Sequence, residues 1–263
     1  MERIGIIAGS GIQELGCEDI IETKRVETPY GEPSDLYRIC KISEVEVVFL
    51  PRHGTPHHIP PHRINYRANL WGFRHIGVRE IISINAVGGI GDGLRPGDIV
   101  LPDQIIDLTH GRNSTFFEKD EVVHIDFTEP FCNKLRGLLF CAGERIDIPL
   151  KRAGTYVCTN GPRLETKAEI QFFSRIGGDL VGMTLMPEAS LARELEICLA
   201  SISVVTNYAA GISRARLTTT EVVETMRSSI EKIRSLLKEF LLMKKDKAET
   251  GCICQEALKE SRM

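Results

Sequence analysis

Short apolar runs recur along this chain, and most of them end in a segment rich in glycine or polar residues. They predict buried strands at 4–8, 45–50, 80–84, 98–101, 103–106, 153–158, 179–183 and 197–206. Helical spacing and stop signals predict helices between and after them, at 66–77, 165–176, 187–195 and 219–243. Strands that alternate with helices indicate a single α/β domain, in which helices flank a central mixed or mostly parallel β-sheet.

Composition and charge exclude several classes of protein. A chain of 263 residues can bury a sizeable core, and its formal net charge of -3 offers no basic excess for nucleic acid. No apolar run approaches the ~18 residues that are needed to span a bilayer. The N-terminus lacks the basic region and long apolar core of a signal peptide. We therefore expect a cytoplasmic protein that binds neither nucleic acid nor membranes.

The composition turns polar after the last predicted helix. We predict a functional domain over 1–245 and a frayed, polar C-terminal tail over 246–263, which contains Cys252-Ile253-Cys254. A disulfide between these two cysteines would close a strained ring, and a zinc site usually needs a second Cys or His pair, which the nearby sequence does not offer. Their redox state stays open. Six other cysteines are expected to be reduced, several in apolar surroundings: Cys17, Cys40, Cys132, Cys141, Cys158 and Cys198.

Ligands of open α/β sheets bind beyond the carboxyl ends of the strands. Gly9-Ser10-Gly11 follows the first predicted strand; Glu14 stands where a dinucleotide fingerprint needs its third glycine. The turn still offers backbone N–H groups and a hydroxyl to a phosphate, although a plain tight turn is the alternative. The other segments that follow predicted strands are Arg52-His53-Gly54, 85–89, 161–165, Met183-Thr184 and Thr206-Asn207.

Residues 52–62 contain four of the seven histidines. Arg52 carries a planar fork of donors that suits phosphate. The segment contains prolines that prevent a helix, and it has no carboxylate. An anion site or a surface loop is therefore favoured over a metal site.

Glu165 and Asn207 are the candidate base-reading pair. Their conventional role would be to cap helices. As a site they suit a 6-oxopurine, because a carboxylate accepts from N1–H while an amide donates to O6 or N7. A 6-aminopurine reverses the polarity at position 6 and would favour an acceptor such as Asp.

Taken together, these segments resemble the trimeric purine nucleoside phosphorylases, especially their methylthioadenosine and methylthioinosine phosphorylase branch. The resemblance covers residues 4 to about 240. Its ordered motifs are Ile6-Ile7-Ala8-Gly9-Ser10-Gly11, Thr28-Pro29-Tyr30-Gly31-Glu32-Pro33-Ser34, Arg52-His53-Gly54, Asn65-Tyr66-Arg67-Ala68-Asn69-Leu70-Trp71, Asn85-Ala86-Val87-Gly88-Gly89, Glu129-Pro130-Phe131-Cys132, Gly161-Pro162-Arg163-Leu164-Glu165-Thr166 and Gly182-Met183-Thr184-Leu185-Met186-Pro187-Glu188.

The resemblance implies a set of site residues. Those expected to hold phosphate are Ser10, Arg52, His53, the Ala86 backbone and Thr184. Those expected at the sugar or base are Asn85, Leu164, Met183, Thr219 and His124, the last of which approaches the 5′ group from a neighbouring subunit. Glu165 and Asn207 match the catalytic, base-reading residues of the 6-oxopurine branch. Adenine-specific relatives carry Asp at the position of Asn207 and again two residues later, where this chain has Ala209.

The resemblance also implies an activity and an assembly. We expect phosphate-dependent cleavage of 5′-methylthioinosine, inosine or guanosine in purine salvage, with phosphate as co-substrate and no metal or organic cofactor. The alternatives are a 5′-methylthioadenosine phosphorylase, a purine- or phosphate-binding regulatory module, and a metal hydrolase that uses the His-rich segment. The family habit is a homotrimer or a dimer of trimers whose sites are completed across interfaces.

Overall fold

A computed structural model describes residues 3–9, 20–119, 121–213, 218–245 and 251–262. The strands are β1 (Ile4–Ala8), β2 (Ile20–Lys24), β3 (Tyr37–Ile42), β4 (Val45–Pro51), β5 (Glu80–Gly89), β6 (Ile99–Val100), β7 (Gln104–Asp107), β8 (Leu150–Lys151), β9 (Thr155–Cys158), β10 (Leu180–Gly182) and β11 (Cys198–Tyr208). The helices are α1 (Tyr66–His75), α2 (Asn133–Arg145), α3 (Lys167–Arg175), α4 (Leu185–Glu194) and α5 (Thr219–Lys245). Within the ranges described, no helix is both long enough and apolar enough to cross a membrane.

The strands form one mixed sheet. Its main path runs β2-β3-β4-β1-β5-β10-β9-β7, while β11 pairs with β5 and β6, and β6 pairs with β8. At the centre, β1 is parallel to both β4 and β5, and β5 is parallel to β11. The carboxyl ends of these strands therefore meet at one edge. The predicted fold class, a single α/β domain with a central mixed sheet flanked by helices, is confirmed.

One edge of β5 changes partner part-way along the strand. Its pairing with β1 ends at Ala8–Ile84, and its antiparallel pairing with β10 runs from Gly89 back to Gly88. Residues 85–87 lie between these two pairings, so in the described registers this edge has a gap. The backbone groups of residues 85–87 on this edge therefore have no strand partner in the described registers, and they lie where the carboxyl end of β1 stops, the kind of position at which α/β sheets bind ligands.

Alternate side chains of the central strands enter two apolar layers. Ile6 packs in a cluster that contains Leu139 of α2 and Phe240 of α5. The next residue, Ile7, packs in a second cluster that contains Phe73 of α1 and Leu191 of α4. This follows from the two-residue period of a strand. Helices therefore cover both faces of the sheet and leave the strand ends for the site.

Local signals set the ends of the predicted helices. The Asn65 side chain accepts a hydrogen bond from the Ala68 N–H at 3.2 Å and caps α1, and Gly77 follows that helix at φ +89°. Thr166 and Glu169 form a reciprocal capping box at the start of α3. The predictions of helices at 66–77 and 165–176 therefore agree with the structure to within two residues.

Two predicted strand ends need correction. Residues 85–89 were expected to follow a strand, but they continue β5, and Asn207 lies inside β11 rather than after it. The sequence patterns did not predict β2, β3, β8 or α2. Two glycines lower the helix propensity of α2, and no side chain caps its start. The side chains of β2 are almost all exposed, which removes the apolar alternation of a strand.

The C-terminal segment 251–262 packs on the domain instead of fraying. Val123 and Arg262 form a β-bridge, and the His124 N–H donates to the Ser261 carbonyl at 2.8 Å. Cys254 is buried. The boundary between 245 and 246 stays a prediction.

The structure resolves most of the predictions for the single cysteines. Cys132, Cys158 and Cys198 are buried and free, and Cys141 is free but exposed. Cys40 is disulfide-bonded, so the prediction of a reduced thiol is wrong there. Cys17 lies outside the described residues.

Candidate active site

Arg52 follows β4, and only 1% of its surface is exposed. Its Nε and Nη2 donate to the two carboxylate oxygens of Glu188 at 2.5 and 3.1 Å. Nη2 also donates to Ser83 Oγ at 2.6 Å, and Nη1 donates to the Ile84 carbonyl at 3.1 Å. A guanidinium has five N–H donors, so these bonds leave one N–H of Nη1. The planar fork that was expected to bind phosphate is directed at Glu188 instead.

The remaining donor of Arg52 faces the end of β1. A Cβ added to Gly9 would lie 2.9 Å from Arg52 Nη1 and 3.5 Å from His53 Nε2. A side chain at this position would therefore fill the space in front of both polar atoms. Glycine keeps that space open beside the gap in the sheet.

His53 is held in its neutral form. Burial, reinforced by the charge of Arg52, lowers the pKa of His53 to about 3. The hydrogen bond from Nδ1 to the Ile59 carbonyl at 2.8 Å assigns the ring proton to Nδ1. Nε2, the atom that faces Gly9, is therefore an acceptor. It suits a ligand oxygen that carries a proton, such as that of monohydrogen phosphate.

A chain of buried hydrogen bonds connects Arg52 to Thr184 across the gap. Ser83 Oγ donates to Glu188 at 2.7 Å and accepts from Asn85 Nδ2 at 3.2 Å. Asn85 Oδ1 accepts from Thr184 Oγ1 at 2.8 Å. These bonds bring two sequence-predicted phosphate residues, Arg52 and Thr184, to opposite sides of residues 85–87.

Glu165 lies in the loop between β9 and α3. It is half-buried, and one carboxylate oxygen accepts from Thr159 Oγ1 at 2.7 Å. Burial raises the pKa of Glu165, and the Thr159 hydrogen bond opposes that effect. The carboxyl group therefore takes up a proton more readily than an exposed glutamate does.

Asn207 follows a β-bulge in β11 and is 8% exposed. Its Oδ1 accepts from Thr206 Oγ1, and one N–H of its Nδ2 donates to the Tyr208 carbonyl, each at 2.9 Å. The amide is thereby fixed in orientation, and its second N–H remains for a ligand. A Cβ on Gly211 would meet the Lys167 side chain. The segments that carry Asn207 and Glu165 therefore adjoin.

Comparison with known proteins identifies the architecture. Residues 3–242 match the Phosphorylase superfamily. The chain belongs to this superfamily. It is 52% identical over 260 residues to a probable S-methyl-5′-thioinosine phosphorylase of Thermodesulfovibrio yellowstonii, with 98% of this chain and 97% of the relative covered. It is 47% identical over 267 residues to the 6-oxopurine nucleoside phosphorylase of Pyrococcus furiosus, with 98% of each chain covered.

A solved structure of a related enzyme has the same fold as this chain. The methylthioadenosine phosphorylase of Schistosoma mansoni, in complex with adenine, superposes with a TM-score of 0.95 at 33% identity and covers 100% of this chain and 99% of its own. The resemblance to purine nucleoside phosphorylases that the ordered motifs indicated is therefore confirmed.

The remaining predicted residues of this phosphorylase lie in several places. Ala86 is in the gap of the sheet, and Met183 contacts the loop after β9, because a Cβ on Gly161 would lie 2.5 Å from its Sδ. Leu164 is 47% exposed. His124 is exposed on the surface beside the C-terminal segment. Their roles stay predictions.

Two predicted residues cannot be placed. Ser10 lies outside the described residues. Thr219 is the first residue of α5, but its side chain is not described.

Sequence reasoning missed Arg112, which connects the loops after β9 and β10. Its Nη1 donates to the carbonyls of Met183, at 2.9 Å, and Met186. Its Nη2 donates to the carbonyls of Asn160 and Thr159 at 2.9 and 3.3 Å. Arg112 therefore positions the segments that carry Met183 and Glu165. It lies between elements, where no hydrophobic period marks it.

The His-rich segment follows β4. Among the described residues, no group of three or more metal-ligating side chains within ligand spacing includes one of its histidines. His53 instead donates to the Ile59 carbonyl and stacks on His57, with ring centroids 4.2 Å apart.

Proposed function

We propose that the protein cleaves the N-glycosidic bond of 6-oxopurine nucleosides with phosphate, releasing the base and a (methylthio)ribose 1-phosphate. The observation that carries this proposal is the polarity of the base-reading pair. Glu165 offers a carboxylate acceptor for N1–H, and Asn207 offers its one remaining N–H to O6 or N7. The similarity to relatives named for 6-oxopurine and methylthioinosine substrates supports the same base class.

The proposed reaction begins with lengthening of the C1′–N9 bond. The electron pair moves to the purine, where Glu165 and Asn207 stabilise the accumulating charge. Ser10, Arg52, His53, the Ala86 backbone and Thr184 hold phosphate beneath C1′. A phosphate oxygen then captures the oxocarbenium-like sugar with inversion and without a covalent enzyme intermediate. Nε2 of neutral His53 accepts a hydrogen bond from the phosphate O–H, while the single free N–H of Arg52 donates to another phosphate oxygen.

The 5′ pocket and the assembly are part of the same proposal. Thr219 stands where relatives that demand a 5′-hydroxyl carry His, so the pocket accepts a 5′-methylthio group. His124 of a neighbouring subunit approaches that group in a homotrimer or a dimer of trimers. The enzyme acts in the cytoplasm in purine salvage.

The test is phosphate-dependent base release from inosine, adenosine, 5′-methylthioinosine and 5′-methylthioadenosine in parallel. We expect release from the two 6-oxopurine substrates, with faster release from the methylthio compound. Release mainly from 5′-methylthioadenosine would refute the assigned base polarity and favour the activity named for the Schistosoma mansoni enzyme. Binding of all four without phosphate-dependent release would indicate a regulatory module.

The raised pKa of Glu165 predicts a pH dependence. The ionised carboxylate is a much stronger acceptor for N1–H than the neutral acid, so kcat/KM for inosine should fall as the pH drops through this raised pKa, above the ~4.3 of an exposed glutamate. Glu165→Gln should lose about 10²–10³-fold in rate at neutral pH and remove this acidic limb.

Glu169→Gln is the matched control for the pH profile. The Arg163 side chain holds the pKa of Glu169 at about 2, and Gln can keep the capping box of α3. The titration of phosphate itself is common to all variants. An acidic limb that persists unchanged in Glu165→Gln would show that Glu165 does not titrate in catalysis.

A further inference from the structure

Four cysteine side chains from three separate parts of the chain meet at one point. Cys132 precedes the first residue of α2, Cys198 begins β11, and Cys252 and Cys254 belong to the C-terminal segment. Their four Sγ atoms all lie within 4.8 Å of one another. Cys132, Cys198 and Cys254 are at most 2% exposed, and Cys252 is half-buried.

This arrangement approximates the geometry of a tetrahedral thiolate site. Zn–S bonds of about 2.3 Å place the four sulfur atoms of such a site about 3.8 Å apart. The Cys132 and Cys252 sulfur atoms are 3.4 Å apart, and the 4.8 Å limit for the whole group requires only small side-chain rotations. Two disulfides would instead draw the atoms together in pairs at about 2.0 Å.

We propose that Cys132, Cys198, Cys252 and Cys254 form a structural zinc site that fastens the C-terminal segment to the domain. The tail alone lacks the second ligand pair that zinc needs. The fold supplies this pair, because the Cys132 N–H donates to the Leu199 carbonyl at 2.8 Å and thereby holds the starts of α2 and β11 together. Four ligands from the protein leave no open position, as in structural rather than catalytic zinc sites.

Two positively charged features lie beside the cluster. Cys132 occupies the N-cap position of α2, where the partial positive charge of a helix N-terminus stabilises an anion. The buried Arg193 lines the same surface pocket as Ile253, the residue between the two tail cysteines. These positive groups offset the negative charge of a zinc ion bound by four thiolates.

The site would also secure a second contact of the tail. Beyond the cysteines, Ser261 accepts from the His124 N–H and Arg262 bridges Val123. Zinc binding would therefore hold the segment around His124 against the domain. Removal of the metal should release residues 251–262 and lower the thermal stability of the protein.

In the first experiment the full-length protein is reduced, loaded with Zn²⁺ and freed of excess metal. The zinc content per chain is then measured. We expect about one zinc ion per chain, with four sulfur atoms about 2.3 Å from it by X-ray absorption. Cys252→Ser/Cys254→Ser should lose this zinc and the accompanying rise in Tm. Cys141→Ser is the matched control, because Cys141 is a free, exposed cysteine outside the cluster, and it should bind zinc like the unchanged protein.

A second measurement needs no substitution. Co²⁺ added to the reduced protein should produce the visible absorption bands of tetrahedral thiolate coordination, and Zn²⁺ should bleach them. The proposal is overturned if the reduced, folded protein shows neither this spectrum nor zinc above the level of the double variant. It is also overturned if alkylation and intact mass show that the four cysteines form disulfides that must be broken before any metal binds.

Discussion

Replacement of Glu188 by Gln is expected to lower the free energy of unfolding by about 3–5 kcal/mol, because it leaves the buried guanidinium of Arg52 without its counter-ion. The same change should reduce phosphate-dependent base release by about 10²–10³-fold, since the orientation of the last free N–H of Arg52 depends on that pair. Urea unfolding and a phosphate titration of the initial rate measure the two effects.

Two further variants separate stability from function. Glu46→Gln removes the counter-ion of a partly exposed arginine, Arg3, and should cost no more than about 1 kcal/mol. Arg52→Met with Glu188→Met replaces the buried pair by apolar side chains and should recover stability, yet stay inactive. An active double variant would show that Arg52 does not bind phosphate. If Glu188→Gln is as stable as Glu46→Gln, the negative charge of Glu188 is not needed to stabilise the buried Arg52.

Asn207→Asp is expected to shift base preference from 6-oxopurines toward 6-aminopurines by about 10²-fold or more in the ratio of kcat/KM values. The Tyr208 carbonyl accepts from Asn207 Nδ2, so an aspartate there must keep a proton to satisfy it. The same oxygen then presents a lone pair where the free amide N–H was. The substitution therefore replaces the free N–H donor at position 207 by an acceptor of the same shape. A 6-amino group can donate a hydrogen bond to this acceptor, whereas O6 of a 6-oxopurine cannot.

The assay compares inosine with adenosine, and 5′-methylthioinosine with 5′-methylthioadenosine. Asn133→Asp is the matched control, because Asn133 is an exposed amide at the start of α2, hydrogen-bonded to Arg136. It should leave both ratios unchanged. If Asn207→Asp lowers all four rates equally, Asn207 supports the fold of β11 and does not read the base.

Short-range patterns made much of the fold predictable. Buried strands were marked by apolar runs, and the end of α1 by Gly77, because strand period and helix termination act over a few residues. The tail after α5 was predicted to fray because its sequence is polar. It packs instead, since its buried side chain Cys254 enters a cluster assembled from distant parts of the chain. No local pattern carries that information.

The candidate site was predicted as residue types but not as geometry. Ordered motifs contain Arg52, Thr184 and Glu165, and the strand-end position of Asn207 added that residue. The structure places these residues around the gap in the sheet and in the adjoining segments. The planar fork of Arg52 was expected to face phosphate, but two of its N–H groups donate to Glu188, 136 positions away in the sequence. Its binding of phosphate through the remaining N–H stays a prediction. Arg112 was missed, because its role rests on carbonyl groups of two loops that meet only after folding.

The sequence by itself determined the alternation of strands and helices, the residue types at the strand ends and, through the order of its motifs, the superfamily. Only the tertiary structure decided how these parts meet: the change of partner along β5, the pairing of Arg52 with Glu188, and the joining of four cysteines. Local patterns reflect interactions between residues a few positions apart. The partner of a buried charge or thiol depends instead on strand order and helix packing, which bring together residues more than a hundred positions apart.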